Sequence, residues 1–108
     1  MNQFDDREKA FEAKFAHDQE LTFKVMARRN KLLGLWAAGQ MGMSDADAEA
    51  YAVDVVKSDF EEAGDEDVYR KVKGDLEAKG VDLSEHQVRR EMEDQLVIAK
   101  KQVMEEGI

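Results

Sequence analysis

Few side chains in this chain could do covalent or metal chemistry. Cysteine is absent, and the only histidines are His17 and His86. Without cysteine there are no disulfides, thiolate metal sites or thiol nucleophiles. Neither histidine has a carboxylate or a second histidine at a spacing that would complete a metal set on one helix, so no metal is expected. Ser44 and Ser84 precede helical patterns and have no adjacent base, which makes them helix caps rather than nucleophiles. No cofactor and no enzymatic activity are expected. One cluster, Arg28, Arg29 and Lys31, could hold phosphates. A phosphate site would want a glycine-rich loop or a helix N-terminus aimed at the ligand, and Gly34 and Gly39 lie in no such arrangement. The simpler reading is a solvated or interhelical face that meets an acidic helix.

What remains is the chemistry of association. Phe4, Phe11 and Phe15 are spaced by seven and four, which lines three rings along one narrow edge of a helix. The other faces are charged or alanine. Such an edge lacks the Leu, Ile and Val of a wide buried face, and an isolated helix of this length is marginal in water. Two readings of residues 1–19 stand side by side: the first turns of a longer helix packed loosely on the domain, or a segment disordered when free that becomes helical on a partner. Arg7, Lys9 and Lys14 flank the edge and could steer its approach to carboxylates of a partner. His17, near the junction with the rest of the chain, could make such binding depend on pH.

The elements that must position this segment follow from composition. The chain has 108 residues and no proline, and it carries a formal charge of -9. A single all-α domain is expected. The acidic balance disfavours nucleic acid. The absence of a long apolar run disfavours a membrane span or leader, and a cytoplasmic protein is expected. Residues 20–108 read as a small four-helix bundle, with helices near 20–40, 45–63, 66–79 and 85–105. The first holds the only tryptophan, Trp36, expected to be substantially buried. Residues 21–43 carry four basic and no acidic residues, whereas residues 44–64 carry seven acidic residues and one lysine. The two are expected to be antiparallel neighbours with complementary charge. The second opens at Ser44, with Met43 stapled onto Ala48, and ends near Gly64. The third, capped by Asp65, contains Gly74, which either bends the helix or admits another backbone. The fourth opens with a capping box from Ser84 to Gln87, and Glu105 and Glu106 are expected to fray its end.

The run FDDREKAFEAKFAHDQELTFKVMARRNKLLGLWAAGQMGMS, residues 4–44, resembles the N-terminal half of the zeta subunits that inhibit the F-type ATP synthases of alphaproteobacteria. FDDRE, EAKFAHD and ARRNKLLGLWAA are its specific phrases, and the remainder, including DVYRKV, agrees in length and order. The resemblance implies a four-helix bundle with an extended N-terminal segment. That segment would enter the synthase at a catalytic alpha/beta interface beside the rotating gamma shaft, blocking ATP hydrolysis and sparing synthesis. It would place Phe4, Arg7, Lys9, Phe11, Lys14, Phe15 and His17 in the inhibitory segment, with the alpha, beta and gamma subunits as partners. The chain would be a monomer when free and peripheral to the inner membrane through the synthase. A helical adaptor for some other protein and a nucleotide-responsive regulator using Arg28, Arg29 and Lys31 are the alternatives.

Overall fold

Side chains that accept backbone N–H groups set the helix starts. The computed structural model describes residues 3–59 and 65–107. In it Ser44 Oγ accepts from the Asp47 amide (3.3 Å) and Asp18 Oδ1 from the Leu21 amide (3.1 Å). Ser84 and Gln87 form the expected capping box, with the Gln87 amide donating to Ser84 Oγ at 3.1 Å and the Ser84 amide to Gln87 Oε1 at 2.8 Å. The helices are α1 (Gln3–His17), α2 (Gln19–Gln40), α3 (Asp45–Ser58), α4 (Glu66–Ala78) and α5 (Glu85–Glu105), with no strand among the described residues. α2 and α4 end in Schellman motifs: the Met43 amide bonds the Ala38 carbonyl (3.0 Å) and the Val81 amide the Leu76 carbonyl (2.9 Å). Each is built on a glycine at positive φ, Gly42 at 72° and Gly80 at 77°.

Five helices therefore stand where four and an N-terminal segment were expected. The fifth is α1, separated from α2 by Asp18, whose extended backbone (φ -105°, ψ 109°) frees its carboxylate to cap α2. α3 also ends earlier than expected, at Ser58, with Asp59 as its C-cap. Gly64, the expected end of that helix, lies outside the described residues. Asp65 precedes α4 but makes no side-chain cap bond, because its carboxylate is taken by Arg29.

α2 is central. It packs against α3, α4 and α5, which together bury Leu33, Ala37, Tyr51, Val55, Val68, Tyr69, Val72, Leu76, Val88 and Met92. Polar edges tie the helices further. Tyr51 donates its phenol proton to Asp75 (2.9 Å), and burial together with that carboxylate pushes its pKa far above the ordinary value. The Arg89 guanidinium lies 4.0 Å from the Tyr69 ring centroid. Trp36 is only partly buried, against the rim of this cluster. The largest fully buried side chain is instead Arg29. Small residues occupy the α2–α3 seam. A Cβ on Gly34 would stand 2.7 Å from the Ala52 Cα and 3.2 Å from a Val55 methyl.

Gly34→Ala should therefore destabilise the protein by about 1–3 kcal/mol through overpacking. That clash outweighs the roughly 1 kcal/mol that alanine gains over glycine in a helix interior. Gly74 is exposed, and a methyl group there would meet nothing within 4 Å, so Gly74→Ala should stabilise by about 0.5–1 kcal/mol. Thermal unfolding followed by circular dichroism reads both, and a Gly34→Ala variant as stable as the parent or more so would show that the seam is looser than described.

Candidate functional site

The phenylalanine edge of α1 rests on α2 and α5. Phe11 and Phe15 are half-buried against Leu21, Val25, Ala99 and Val103, with Leu32 and Leu96 beside them. Lys100 of α5 places Nζ 4.5 Å from the Phe15 ring centroid and 3.1 Å from Glu12 Oε1. One turn toward the start, Arg7 donates from Nη2 to the Met104 carbonyl at 2.9 Å. Arg7, Phe11 and Phe15 recur every four residues, so one edge of α1 makes all of these contacts. Beside them runs an open groove of about 250 Å³ between α1 and α5, lined by Phe11, Val97 and Met104 and by Glu8 and Lys101.

These contacts are individually modest. A half-buried Phe ring contributes about 1–2 kcal/mol, and the exposed Glu12–Lys100 pair at most about 1 kcal/mol. The cation over the ring adds about 0.5–1 kcal/mol. None of the α1 residues whose side chains are described belongs to the larger cluster shared by α2 to α5. Lys14 and His17 are exposed, and His17 lies at the rim of a shallow recess with Thr22, Met26 and Asp59. Lys9 is exposed as well. The side chain of Phe4 lies outside the described residues.

The junction is a single residue. Thr22 Oγ1 lies 2.7 Å from the Phe15 carbonyl and 3.0 Å from the Asp18 carbonyl, so its one proton is shared between the last carbonyls before α2. Sequence patterning does not mark Asp18 or Thr22 as the junction between two helices, although Asp18 followed by Glu20 in the first turn is a helix-start signal. Lys100 and Glu12 escape it as well, and no local signal marks them, since their contact joins residues 88 apart.

The basic cluster does not converge. Arg28 reaches the end of α5, donating to Gln102 Oε1 (2.9 Å) and pairing with Glu106 (2.6 Å). This contact holds the Glu106 carboxyl below its ordinary pKa, chiefly through the Arg28 hydrogen bond. It also neutralises the charge expected to fray that end. Arg29, 1% exposed, donates from Nε to Asn30 Oδ1 (2.7 Å) and from Nη2 to Asp65 Oδ1 (2.8 Å). Asn30 in turn donates to Asp59 Oδ2 at 2.9 Å. Lys31 is exposed over a shallow groove with Glu49, Val53 and Lys57. The acidic partners of α2 thus come mainly from the end of α5 and from either side of the α3–α4 connection. Among the described residues no group of three or more His, Asp or Glu gathers as a metal set. No described helix is long and apolar enough to cross a membrane.

The described residues thus show a helical core shared by α2 to α5, with the aromatic edge of α1 laid on a second cluster of α2 and α5. A sequence model of the family described as ATPase inhibitor subunit zeta matches residues 1–102, and the chain belongs to this family. It is accordingly a regulatory inhibitor subunit and not an enzyme. A protein solved by solution NMR is similar at 53% identity and a TM-score of 0.72, over 80% of this chain and 98% of its own. Comparison with curated proteins finds no match.

Asp59 gives the polar network a pH signature. Burial raises its pKa above the ordinary 3.8, against the opposing effects of the Asn30 hydrogen bond and Arg29. A carboxyl whose folded pKa is raised favours folding below the unfolded value, and that contribution is lost as pH rises through the folded value. Asp59→Asn keeps an acceptor for Asn30 without the charge. Its stability relative to the parent should therefore increase as pH rises from about 3.8 toward neutrality. Denaturant unfolding across that range measures the difference, and parallel pH profiles would contradict the assignment.

Proposed function

We propose that this chain inhibits ATP hydrolysis by the F-type ATP synthase by inserting α1 at a catalytic alpha/beta interface beside the gamma shaft. Membership of the inhibitor family supplies the activity. The observation that carries the route is the aromatic edge of α1, attached to the bundle by half-buried rings and separated from α2 by one non-helical residue. A 15-residue helix is about 22 Å long, enough to enter a cleft between subunits.

The mechanism is steric. A helix lodged between a catalytic subunit and the shaft blocks the interface movements that hydrolysis requires, and no bond need be made or broken. Phe4, Phe11 and Phe15 bury apolar area that offsets the ordering cost of binding. Arg7, Lys9 and Lys14 supply positive charge for carboxylates of the partner, with His17 at the base of the helix. The bundle of α2 to α5 remains outside as the holder. The dispersal of Arg28, Arg29 and Lys31 gives no support to a phosphate site.

Deleting residues 1–17 keeps Asp18 as the α2 cap and removes nothing from the main core, so cooperative helical unfolding should persist. Inhibition of ATP hydrolysis by the purified synthase should disappear. In the full chain, Phe15→Ala should weaken inhibition about tenfold, while the half-buried ring costs only about 1–2 kcal/mol of stability. A truncated protein that inhibits as well as the full chain would move the function to another surface.

A further inference from the structure

Three of the α1 residues that have the chemistry to bind a partner, Arg7, Phe11 and Phe15, are turned onto the α2/α5 face. Arg7 is bonded to the Met104 carbonyl, Phe11 and Phe15 lie on the α2/α5 cluster, and Lys100 covers Phe15 while pairing with Glu12. One narrow edge cannot pack on α5 and on a second protein together. We infer that the α2/α5 face is a resting site for α1, so that insertion requires this latch to open and the latch sets the potency of the inhibitor. This rests on the reading of α1 as the inserting element.

Three features suit the contact to opening. The rings are half-buried rather than interlocked, and the cation and ion pair both depend on one side chain, Lys100, at the surface of α5. The covered apolar face comes from only α2 and α5, through Leu21, Val25, Ala99 and Val103, so opening leaves the main core intact. The hinge is Asp18, already non-helical and held by an Asp cap and the Thr22 hydroxyl. A partner that takes only the open form sees its affinity reduced by the fraction of molecules that are open. Weakening the latch without touching α1 should therefore raise potency.

Two changes test this in the full chain. Lys100→Glu removes the cation from Phe15 and repels Glu12, while lying outside α1. Hydrogen exchange of α1 amides should become at least tenfold faster than in the parent, exchange in the middle of α3 and α4 should not change, and the concentration giving half-inhibition of ATP hydrolysis should fall severalfold. Because the chain has no cysteine, a Glu12→Cys/Lys100→Cys pair can be joined by a short thiol-cleavable cross-linker. The linked form should inhibit at least tenfold more weakly than the same protein after cleavage. Equal inhibition by linked and cleaved forms, or faster α1 exchange in Lys100→Glu with no gain in potency, would overturn the latch while leaving an inhibitory α1 in place. If the parent and the cleaved pair both fail to inhibit, the functional reading is what fails. The latch as a physical contact is then judged by exchange alone, and α1 amides as fast in the parent as in Lys100→Glu would sink it.

Discussion

The close approach of α2 and α3 at Gly34 constrains everything else in this molecule. With the Ala52 Cα only 2.7 Å from where a Gly34 Cβ would stand, the seam admits small side chains and excludes long ones. The arginines of α2 must leave by other faces. Arg28 goes to the end of α5, and Arg29 crosses to Asp65. α5 then occupies another side of α2, with α4 closing the core between α3 and α5. The four helices do not end level. The start of α2 and the end of α5 carry an apolar cluster to which α3 and α4 contribute nothing, and α1 is the element seated there. The seat of the proposed inhibitory helix is thus a consequence of how the bundle is built at a distance from it.

Arg29 is buried on another face of α2, beside Met92 and Leu96 of α5. A guanidinium inside a small protein is tolerable only with its donors satisfied and its charge paired, and Asn30 and Asp65 do this from two sides. Asp59 completes the arrangement at the end of α3 by accepting from Asn30. These bonds join α2 to both sides of the α3–α4 connection. They also explain why Asp65 does not cap α4: its carboxylate is engaged by Arg29 of α2.

The features legible in the sequence were those decided within a few residues. Ser44 and the Ser84–Gln87 box are local hydrogen bonds, Gly42 and Gly80 answer a local need for positive φ, and the faces of α3 to α5 repeat with the helical period. Trp36 is less buried than expected and Arg29 more completely buried than a merely interhelical position requires, because residue type says nothing about which long side chain a neighbouring helix will admit. Nothing near Gly34 in sequence marks it as the point where Ala52 comes closest. The aromatic edge was recognisable as too thin for a core. Its resting place on Lys100 was not, since nothing near either residue in sequence encodes that meeting.

The composition of that edge suits the proposed exchange of one contact, with the bundle, for another, with a partner. Aliphatic side chains locked into a groove would bind α1 to its own bundle more tightly, and each 1.4 kcal/mol of added internal attachment would weaken capture by a partner about tenfold. Leaving the rings in water would expose a contiguous apolar strip on a free protein and invite aggregation. Half-burial of Phe11 and Phe15, with one lysine covering a ring, falls between these limits. It shields the rings while costing a competing surface little to remove them. The same argument explains why the edge is aromatic: a phenylalanine carries a large apolar area on only two side-chain torsions, so moving it from one surface to another loses little rotamer freedom. A helix built for a single permanent site would have no need of that economy.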